Sequence, residues 1–463
     1  MSTIAAVATP QGNGAIGIVR ISGPESLSLL EKIVQPSARH FDHFRPWVLH
    51  RGRFQAEDGR FLDDVLAVYM PAPKTYSGED MAEIHCHGNP LILQSVLASL
   101  FQLGARPAER GEFTKRAFLN GRIDLSQAEA VGELVGAVSR SGLCDSVQRL
   151  CGHLSQKVTD LRERVDALRG ELAVACDFPD DEVECLERGR FLEALTGLDQ
   201  ALLALLQGSE RGRLMQEGAR VVLAGAVNAG KSSLLNALLG RERALVTEVA
   251  GTTRDFLEEF CDLDGLPVRL IDTAGLHAHS QDPVEKLGIA RGQECLKHCD
   301  AIVLVFDQSL WHGQEGAERC PDAEYAEILA EYGKRPILLV WNKIDIAPAW
   351  SGPPLWAKGY ASCAVSCLNG QGLDELSSRL RALLLGCEKP TSEHVSCNVR
   401  QALALRRAQE ELSALLADVR ANVAYDLCAV RLDLLAEILG EVIGVSTPAE
   451  VLNVVFDRFC IGK

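Results

Sequence analysis

A glycine-rich segment in the middle of the chain has the residue types and spacing of a phosphate-binding loop. Gly225 to Ser232 match G-x-x-x-x-G-K-[ST] at every fixed position, and they follow an apolar run, Val221 to Ala224, that predicts a buried strand. Glycines let backbone N–H groups curl around phosphates, Lys231 supplies a positive charge, and Ser232 offers a hydroxyl to Mg²⁺. Helix-forming residues come next, so the positive end of a helix faces the anion. We therefore predict a nucleoside triphosphate site formed by Asn228, Ala229, Gly230, Lys231, Ser232 and Ser233.

A second motif indicates which base is bound. The apolar run Pro336 to Trp341 predicts a strand, and Asn342, Lys343 and Asp345 follow it directly. A carboxylate at Asp345 accepts hydrogen bonds from N1–H and the exocyclic amine of guanine, whereas adenine has neither donor there. The backbone around Ser366, after another short apolar stretch, is a weaker candidate for contacting the guanine oxygen. The motif predicts that the triphosphate is GTP.

Two further segments have the residues needed to hold Mg²⁺ and the γ-phosphate. The first lies at the end of a predicted β-hairpin, where Asp272 can hold Mg²⁺ through water and Gly275 can offer its amide to the phosphate. The second precedes the hairpin, and its Thr253 supplies a hydroxyl to the metal. The residues of the first segment assigned to the nucleotide site are Asp272, Thr273, Ala274 and Gly275.

Leu276 occupies the position where many GTPases have the glutamine that orients the attacking water. A leucine has no group that can hold water, so the water-orienting group and the positive charge must come from elsewhere. The sources are an arginine of a partner, a cation, or another polar residue that moves in. Glu285 is a candidate to orient water, and a solvated glutamate at a helix start is an equally good interpretation.

Length and composition limit the other possibilities. The 463 residues, 47% of them hydrophobic, predict about three domains with substantial cores. A formal net charge of −16 argues against a protein coated in basic surface, although a local nucleic-acid site is still allowed. Five basic residues interleaved with acidic ones form one local cluster, for which we favour a solvated face of mixed charge. They are Arg106, Arg110, Lys115, Arg116 and Arg122.

The cysteines and the apolar segments indicate a cytoplasmic protein. None of the fifteen cysteines forms a C-x-x-C pair, so structural zinc is disfavoured and free thiols in a reducing compartment are the simplest interpretation. The first nineteen residues carry no charge, so the positive region of a secretory signal is missing. The chain has no apolar run long enough for a membrane helix, and we expect no membrane association.

Periodicity changes along the chain from strands to helices. Short apolar or alternating runs predict strands at 16–21, 65–70 and 81–85, and the pattern becomes helical after Asp124. Apolar residues recur every three or four positions from Val147 to Leu172 and again from Leu405 to Val419. Each pattern needs a partner surface, so we expect the two helical regions to pack together with an α/β domain inserted between them. Two independent coiled-coil arms are the alternative.

Several blocks together resemble the MnmE (TrmE) family of tRNA-modification GTPases, and the resemblance spans the chain. The terminal Phe459 to Lys463, FCIGK, is the most specific of them. Ala226 and Val227 depart from the family, which usually has a basic or polar residue followed by proline. The absence of the proline changes the expected stiffness of the phosphate-binding loop but leaves every liganding position in place. The matching blocks are Gly17 to Gly23, Gly111 to Leu125, Gln127 to Ala130, Asn228 to Asn236, Gly251 to Asp255 and Phe459 to Lys463.

The resemblance implies an activity and its partners. The family acts as a homodimer with the FAD-containing MnmG protein, in a heterotetramer, on the wobble uridine of tRNA. It adds an aminomethyl or carboxymethylaminomethyl group at C5, with 5-formyl- or 5,10-methylene-tetrahydrofolate as the one-carbon source. Folate contacts of the family fall on Arg20, Glu83, Arg122 and Lys463. Guanidinium groups suit an anionic ligand and Glu83 suits the donors of a pterin, although a structural Arg20–Glu83 ion pair is the alternative.

The resemblance also implies how the missing glutamine is replaced. In the family K⁺ supplies the positive charge, and its site is completed when two GTPase domains meet face to face. Glu285 matches the glutamate that orients water, and Cys460 matches a near-terminal cysteine needed for modification, with a buried inert thiol as the alternative. The residues that match the K⁺ ligands are Asn228, Thr247, Val249 and Thr252.

The family fold gives four segments in this chain. We expect an α+β N-terminal folate-binding and dimerisation domain at 1–120, a discontinuous helical domain at 121–214 and 388–463, and an inserted P-loop GTPase domain at 215–387. A ribosome-assembly GTPase of the Era or Der type is one rival, but it predicts a second P-loop or a basic KH module, which the sequence lacks. A structural or signalling GTPase is the other, and the N-terminal block and Cys460 would then have no use.

Overall fold

A computed structural model describes residues 2–55, 60–137, 139–177, 187–241, 258–263, 265–272, 294–310, 323–346, 352–385, 396–457 and 459–462. The chain divides into two compact units. Unit 1 contains residues 1–132, 149–199 and 404–463, and unit 2 contains residues 133–148 and 200–403. No helix in these described ranges is both long enough and apolar enough to cross a membrane.

The N-terminal part of unit 1 is built on a seven-stranded sheet. Its order is β3-β4-β5-β6-β2-β1-β7, antiparallel except for the β1–β7 pair. The register places Arg20 of β2 opposite Glu83 of β6, so two chemically complementary residues share one face. The strands are β1 (Ile4–Val7), β2 (Gly14–Ser22), β3 (Val34–Pro36), β4 (His50–Gln55), β5 (Phe61–Met70), β6 (Met81–Gly88) and β7 (Arg106–Pro107).

One face of this sheet packs on two helices. α1 (Ser26–Ile33) and α2 (Pro90–Gln102) bury a core that includes Val19, Ile21 and Ile84, which alternate along β2 and β6 as a half-buried strand requires. α2 begins sharply because Asn89 Oδ1 accepts from the Leu91 amide at 2.9 Å and proline follows the cap. The strands expected at 16–21, 65–70 and 81–85 are confirmed.

The remainder of unit 1 is helical. The Arg169 guanidinium of α6 lies 2.6 Å from Asp433 of α12, so these two helices pack side by side in a pair. Arg431 of α12 in turn reaches Glu411 and Asp418 of α11. The helices are α3 (Glu112–Leu119), α4 (Leu125–Gly136), α5 (Arg140–Leu150), α6 (His153–Asp177), α7 (Arg188–Glu217), α11 (Val399–Arg420), α12 (Tyr425–Ile443) and α13 (Ala449–Phe456), of which α4, α5, α7 and α11 extend into unit 2.

The first apolar stripe is shorter than the sequence predicts. From Leu154 to Leu172 its members are buried, but Val147 is 43% exposed. The stripe is interrupted because α5 ends at Leu150 and Gly152 has φ +86°, a left-handed conformation that ends a helix. The expectation of one continuous stripe from Val147 is therefore wrong, since periodicity alone does not detect a left-handed break.

Unit 2 contains a doubly wound α/β layer. Its six strands have the order β13-β12-β11-β8-β10-β9, all pairs parallel except the β9–β10 hairpin. Near-continuous apolar strands such as β11 are buried on both faces, as helices on both sides of a parallel sheet require. The elements are β8 (Ala219–Ala224), α8 (Lys231–Arg241), β9 (Glu258–Leu263), β10 (Leu266–Asp272), β11 (Ala301–Asp307), α9 (Ala323–Tyr332), β12 (Ile337–Asn342), β13 (Ala361–Ala364) and α10 (Leu373–Leu385).

Candidate functional site

The predicted phosphate-binding loop joins β8 to α8. Gly225 has φ +144°, and a Cβ there would lie 2.4 Å from the Val305 carbonyl oxygen of β11. Gly230 has φ +98°, and a Cβ there would lie 2.2 Å from Asn342 Nδ2. Both glycines of the motif are thus required by backbone conformation and by close packing against neighbouring strands.

Lys231 begins α8 and folds back over the loop. Its ammonium donates to the Gly225 carbonyl at 2.6 Å and to the Ala226 carbonyl at 3.0 Å, and its side chain is buried. An ammonium held against the loop carbonyls at a helix start places positive charge where an anion would sit.

Ser232 and Asp272 come together from different elements. The Ser232 hydroxyl at the start of α8 donates to Asp272 Oδ2, at the end of β10, over 2.8 Å. The other carboxylate oxygen, Asp272 Oδ1, is buried and has no hydrogen-bond partner in the described part of the chain. A hard cation prefers a hydroxyl and a carboxylate as neighbours, so the two predicted magnesium-site residues are geometrically suited to that ion.

Asn342 at the end of β12 supports the loop from the neighbouring strand. Its amide group donates to the Ala229 carbonyl at 3.1 Å, and its oxygen accepts from the Lys343 and Cys367 amides at 2.8 and 3.4 Å. A buried amide that uses both ends in this way fixes the loop relative to the next segment, from 343 onward.

Asp345 is exposed, and its Oδ1 accepts from the Ser366 hydroxyl at 2.5 Å. Ser366 is buried two residues after the end of β13, directly before a turn at 367–369. The hydroxyl fixes one carboxylate oxygen, which leaves an exposed carboxylate in a defined orientation. That is the arrangement required to read two adjacent N–H donors.

The loop lines a cavity of about 620 Å³. Asn228 faces it at φ +64°, and its side chain has no hydrogen bond to any residue in the described ranges. A positive φ favours asparagine or glycine at this position. The lining residues are Val227, Asn228, Gly230, Lys231, Ser232, Ser233 and Lys343.

Two contributors to this site were not identified from the sequence. Asp307 ends β11, and its Oδ2 accepts from Lys343 Nζ at 2.6 Å. Burial opposes ionisation of Asp307, but the hydrogen bonds from Lys343 and Ser309 outweigh it, so its pKa lies below the usual range. The Tyr325 hydroxyl of α9 accepts from the Ala226 amide of the loop at 2.8 Å. The sequence signal available for Asp307 was its position directly after the apolar run at 301–306. The sequence around Tyr325 gave no signal that it belongs to the site.

Several residues assigned to the nucleotide and K⁺ sites lie outside the described residues. Their assignments stay predictions. They are Thr247, Val249, Thr252, Thr253, Thr273, Ala274, Gly275 and Glu285.

Three of the residues matched to folate contacts, Arg20, Glu83 and Arg122, lie around the loop of unit 1 that contains Thr75 and Tyr76. Arg20 Nε donates to Glu83 Oε1 at 2.8 Å, so the ion pair named as the alternative to folate contacts is present, and the folate assignment stays a prediction. His85 Nε2 lies 3.3 Å from Glu83 Oε2. The hydrogen bond from His85 and the charge of Arg20 outweigh burial and hold the pKa of Glu83 below its usual range. The Arg20 guanidinium also lies 5.7 Å from the centre of the Tyr76 ring.

Arg122 reaches the same loop. Its Nε donates to the Thr75 carbonyl at 3.2 Å, next to Tyr76, and the residue is exposed. Cys460 is exposed and free, which contradicts the alternative of a buried thiol. Its neighbour Ile461 forms a backbone bridge with Arg110, while Lys463 lies outside the described residues.

The basic cluster is a solvated face at Arg110 and Arg122, which are exposed, but not at Arg116. Arg116 is buried, and its guanidinium donates to Glu79 at 2.7 Å and to Glu112 at 2.9 Å. Arg106 also pairs with Glu112, and although burial favours the protonated acid, these partners hold the pKa of Glu112 low. The expectation of a solvated face is wrong at Arg116, because tertiary folding brings Glu79 to it from a distant segment and buries the pair.

The doubly wound sheet, the phosphate-binding loop and the exposed Asp345 define unit 2 as a P-loop nucleotide-binding domain of the GTPase class. Residues 3–122 match the family described as GTP-binding protein TrmE N-terminus, and residues 125–460 match the MnmE helical domain.

Proteins named tRNA modification GTPase MnmE are similar over the full length. Those of Nitratidesulfovibrio vulgaris (strain DP4), Lawsonia intracellularis and Roseiflexus sp. are 48%, 44% and 41% identical, and each alignment covers 100% of this chain and 99% of the relative. The chain therefore belongs to the MnmE (TrmE) family of tRNA modification GTPases. The expected family, the multidomain fold and the GTPase class are confirmed.

Proposed function

We propose that the chain is a potassium-dependent GTPase that, together with MnmG, modifies C5 of the wobble uridine in tRNA with a one-carbon unit from tetrahydrofolate. The observation that carries the GTPase part is the joint geometry of the loop: Lys231 over its carbonyls, Ser232 on Asp272, and Asn342 on Ala229. Family membership supports the tRNA part.

The nucleotide would lie in the cavity of the loop. Lys231 would bind the terminal phosphates, and Asp345, oriented by Ser366, would accept from two N–H groups of guanine. Bound Mg²⁺ would neutralise developing charge on the phosphates. Ser232 and Asp272 would hold it, since Asp272 Oδ1 still lacks a partner among the described residues.

K⁺ would be held beside the same loop. The Asn228 side chain lines the cavity and is not committed to another described residue, which suits a carbonyl-type oxygen ligand. Thr247, Val249 and Thr252 are the other proposed ligands, and Glu285 is the proposed residue that orients water. K⁺ would supply the positive charge that compensates for Leu276.

A reduced folate would bind at the loop around Tyr76 in unit 1. Arg20 and Glu83 are partly buried and paired, so an incoming pterin would exchange contacts with an existing ion pair rather than meet isolated charges. Arg122 and Lys463 would add positive charge for the glutamate part of the ligand. Exposed Cys460 is available to take part in the modification, as an expectation from the family.

The proposed assembly is a homodimer that joins MnmG in a cytoplasmic heterotetramer and acts on tRNA. A face-to-face meeting of two GTPase domains would complete the K⁺ site. The rival class, a ribosome-assembly GTPase, predicts a different cellular defect and is tested by the same experiment.

The test is mass spectrometry of wobble uridine in tRNA from a strain whose only copy of this gene is deleted. Loss of the C5 group, restored by the wild-type gene but not by a Cys460→Ser copy, is the expected result. Cys144→Ser, at another exposed free cysteine, is the matched control and should restore the modification. Unchanged wobble uridine together with defective ribosomal subunits would overturn the proposal.

A further inference from the structure

A buried tyrosine joins the start of the phosphate-binding loop to the neighbouring strand. Tyr325 lies on α9 and is only 2% exposed. Its hydroxyl accepts from the Ala226 amide at 2.8 Å and donates to the Val305 carbonyl of β11 at 2.7 Å. One hydroxyl thus satisfies the carbonyl of a buried residue and the amide of a half-buried residue, which belong to different elements.

The contact occurs where the loop leaves β8. A Cβ at Gly225 would lie 2.4 Å from the Val305 oxygen and 3.1 Å from the Tyr325 hydroxyl, so the loop backbone is in close contact with both groups. Ala226 is held at both ends of its backbone, because its carbonyl accepts from Lys231 Nζ at 3.0 Å. Ala226 therefore connects Tyr325, which accepts from its amide, to Lys231, which donates to its carbonyl.

The tyrosine ring is fixed by aromatic packing. It stacks on Phe306 with ring centres 4.1 Å apart and an interplanar angle of 20°. Phe306 stacks in turn on Trp341, at 4.5 Å and 23°, and Trp341 directly precedes Asn342. Because the ring has little freedom, its hydroxyl holds the loop without a large additional loss of side-chain entropy.

We propose that Tyr325 is a positioning residue for the nucleotide: it holds the Ala226 peptide so that the loop is already in its binding conformation. This inference rests on the nucleotide site proposed above. Tyr325 acts through Ala226 and Lys231 and does not touch the phosphates. The Ala226 amide is committed to the tyrosine, so the phosphates are bound by later amides of the loop.

Removing the hydroxyl should lower the fraction of molecules in which the loop has its binding conformation. Tyr325→Phe keeps the ring stack but leaves the Ala226 amide and the Val305 carbonyl without this partner. The loop then occupies its binding conformation for a smaller fraction of the time, and the apparent Kd rises as the inverse of that fraction. We expect the Kd of GDP to rise about tenfold and its dissociation to become faster.

The experiment measures the Kd and dissociation rate of a fluorescent GDP analogue for the full chain, together with the thermal midpoint. Tyr332→Phe is the matched control, because Tyr332 lies on the same helix, is also buried and loses the same hydroxyl. Lys231→Ala tests the nucleotide site itself. A purely structural role of Tyr325 would lower the midpoint and leave the Kd unchanged, so titrations are made well below the midpoint.

A weaker Kd for Tyr325→Phe, with wild-type affinity for Tyr332→Phe, supports the inference. Wild-type affinity of Tyr325→Phe together with lost affinity of Lys231→Ala would overturn it and leave the nucleotide site intact. Wild-type affinity of Lys231→Ala would overturn the nucleotide site, and the inference with it.

Discussion

At the scale of single residues, the site depends on a few backbone conformations that restrict side-chain choice. Asn228 and Lys343 both have positive φ, at +64° and +67°. Their chain neighbours Ala229 and Asn342 are joined by the hydrogen bond that connects the loop to the end of β12. Asn228 is distinctive because its side chain lines the cavity without a described hydrogen bond. Its amide oxygen is therefore available to a ligand that approaches the loop.

Replacement of Asn228 tests the proposed K⁺ site. Asn228→Ala should abolish the proposed stimulation of GTP hydrolysis by K⁺ over Na⁺, because the proposed ion site would lose an oxygen ligand. Alanine also strains a backbone at φ +64°, so Asn228→Gly is the control that removes the amide without that strain. Both variants should hydrolyse GTP equally slowly in the two salts, measured as phosphate release. Equal rates of the wild-type enzyme in Na⁺ and K⁺ would contradict the K⁺ proposal.

At the scale of elements, parallel strands bring the site together. β8, β10, β11 and β12 run in one direction, so their carboxyl ends lie at one edge of the sheet. Gly225, Asp272, Asp307 and Asn342 occupy or directly follow those ends although they are far apart in sequence. This is the edge at which doubly wound sheets bind ligands. In unit 1, antiparallel register performs the same role by placing Arg20 opposite Glu83.

The β2–β6 pair has a predictable dependence on pH. The pKa of Glu83 is lowered by His85 and Arg20, against the effect of burial, so the ionised carboxylate stabilises the fold. This stabilisation is fully present above pH 4.5, the ordinary pKa of a glutamate side chain. It is lost as the pH falls through the lower pKa that Glu83 has in the folded protein. Glu83→Gln should therefore lower the thermal midpoint at pH 7 and have a smaller effect under acid conditions.

The matched control for that prediction is Glu31→Gln at an exposed position of α1, which should change the midpoint little at either pH. An equal loss at neutral and acid pH for Glu83→Gln would mean that Glu83 contributes through packing rather than through its charge.

At the scale of the whole molecule, the chain combines two units that are each interrupted in sequence. Unit 1 gathers three separate segments, and the α6–α12 pair joins residues more than 250 positions apart through Arg169 and Asp433. Such non-local packing makes unit 1 dependent on segments that lie before, between and after the two segments of unit 2 in the sequence. The proposed domain bounds, 1–120, 121–214 with 388–463, and 215–387, stay predictions.

Face-to-face dimerisation predicts how hydrolysis depends on protein concentration. The turnover per molecule should rise with concentration in K⁺, because the proposed ion site would be completed when two GTPase domains meet, and should stay low and flat in Na⁺. Phosphate release over a wide concentration range, with GDP release measured in parallel, provides the check. A concentration-independent rate in K⁺ would show that one chain completes the site by itself.

The sequence by itself determined the class of chemistry and much of the nucleotide site. The loop motif requires glycines at fixed positions, and the apolar runs before Gly225 and Asn342 require buried strands, so local rules were sufficient. Only the tertiary structure decided that Tyr325 and Asp307 belong to this site, that Arg116 is buried with Glu79, and that α6 pairs with α12. Side-chain partners that are distant in sequence leave no periodic signal, because the fold rather than the local chain brings them into contact.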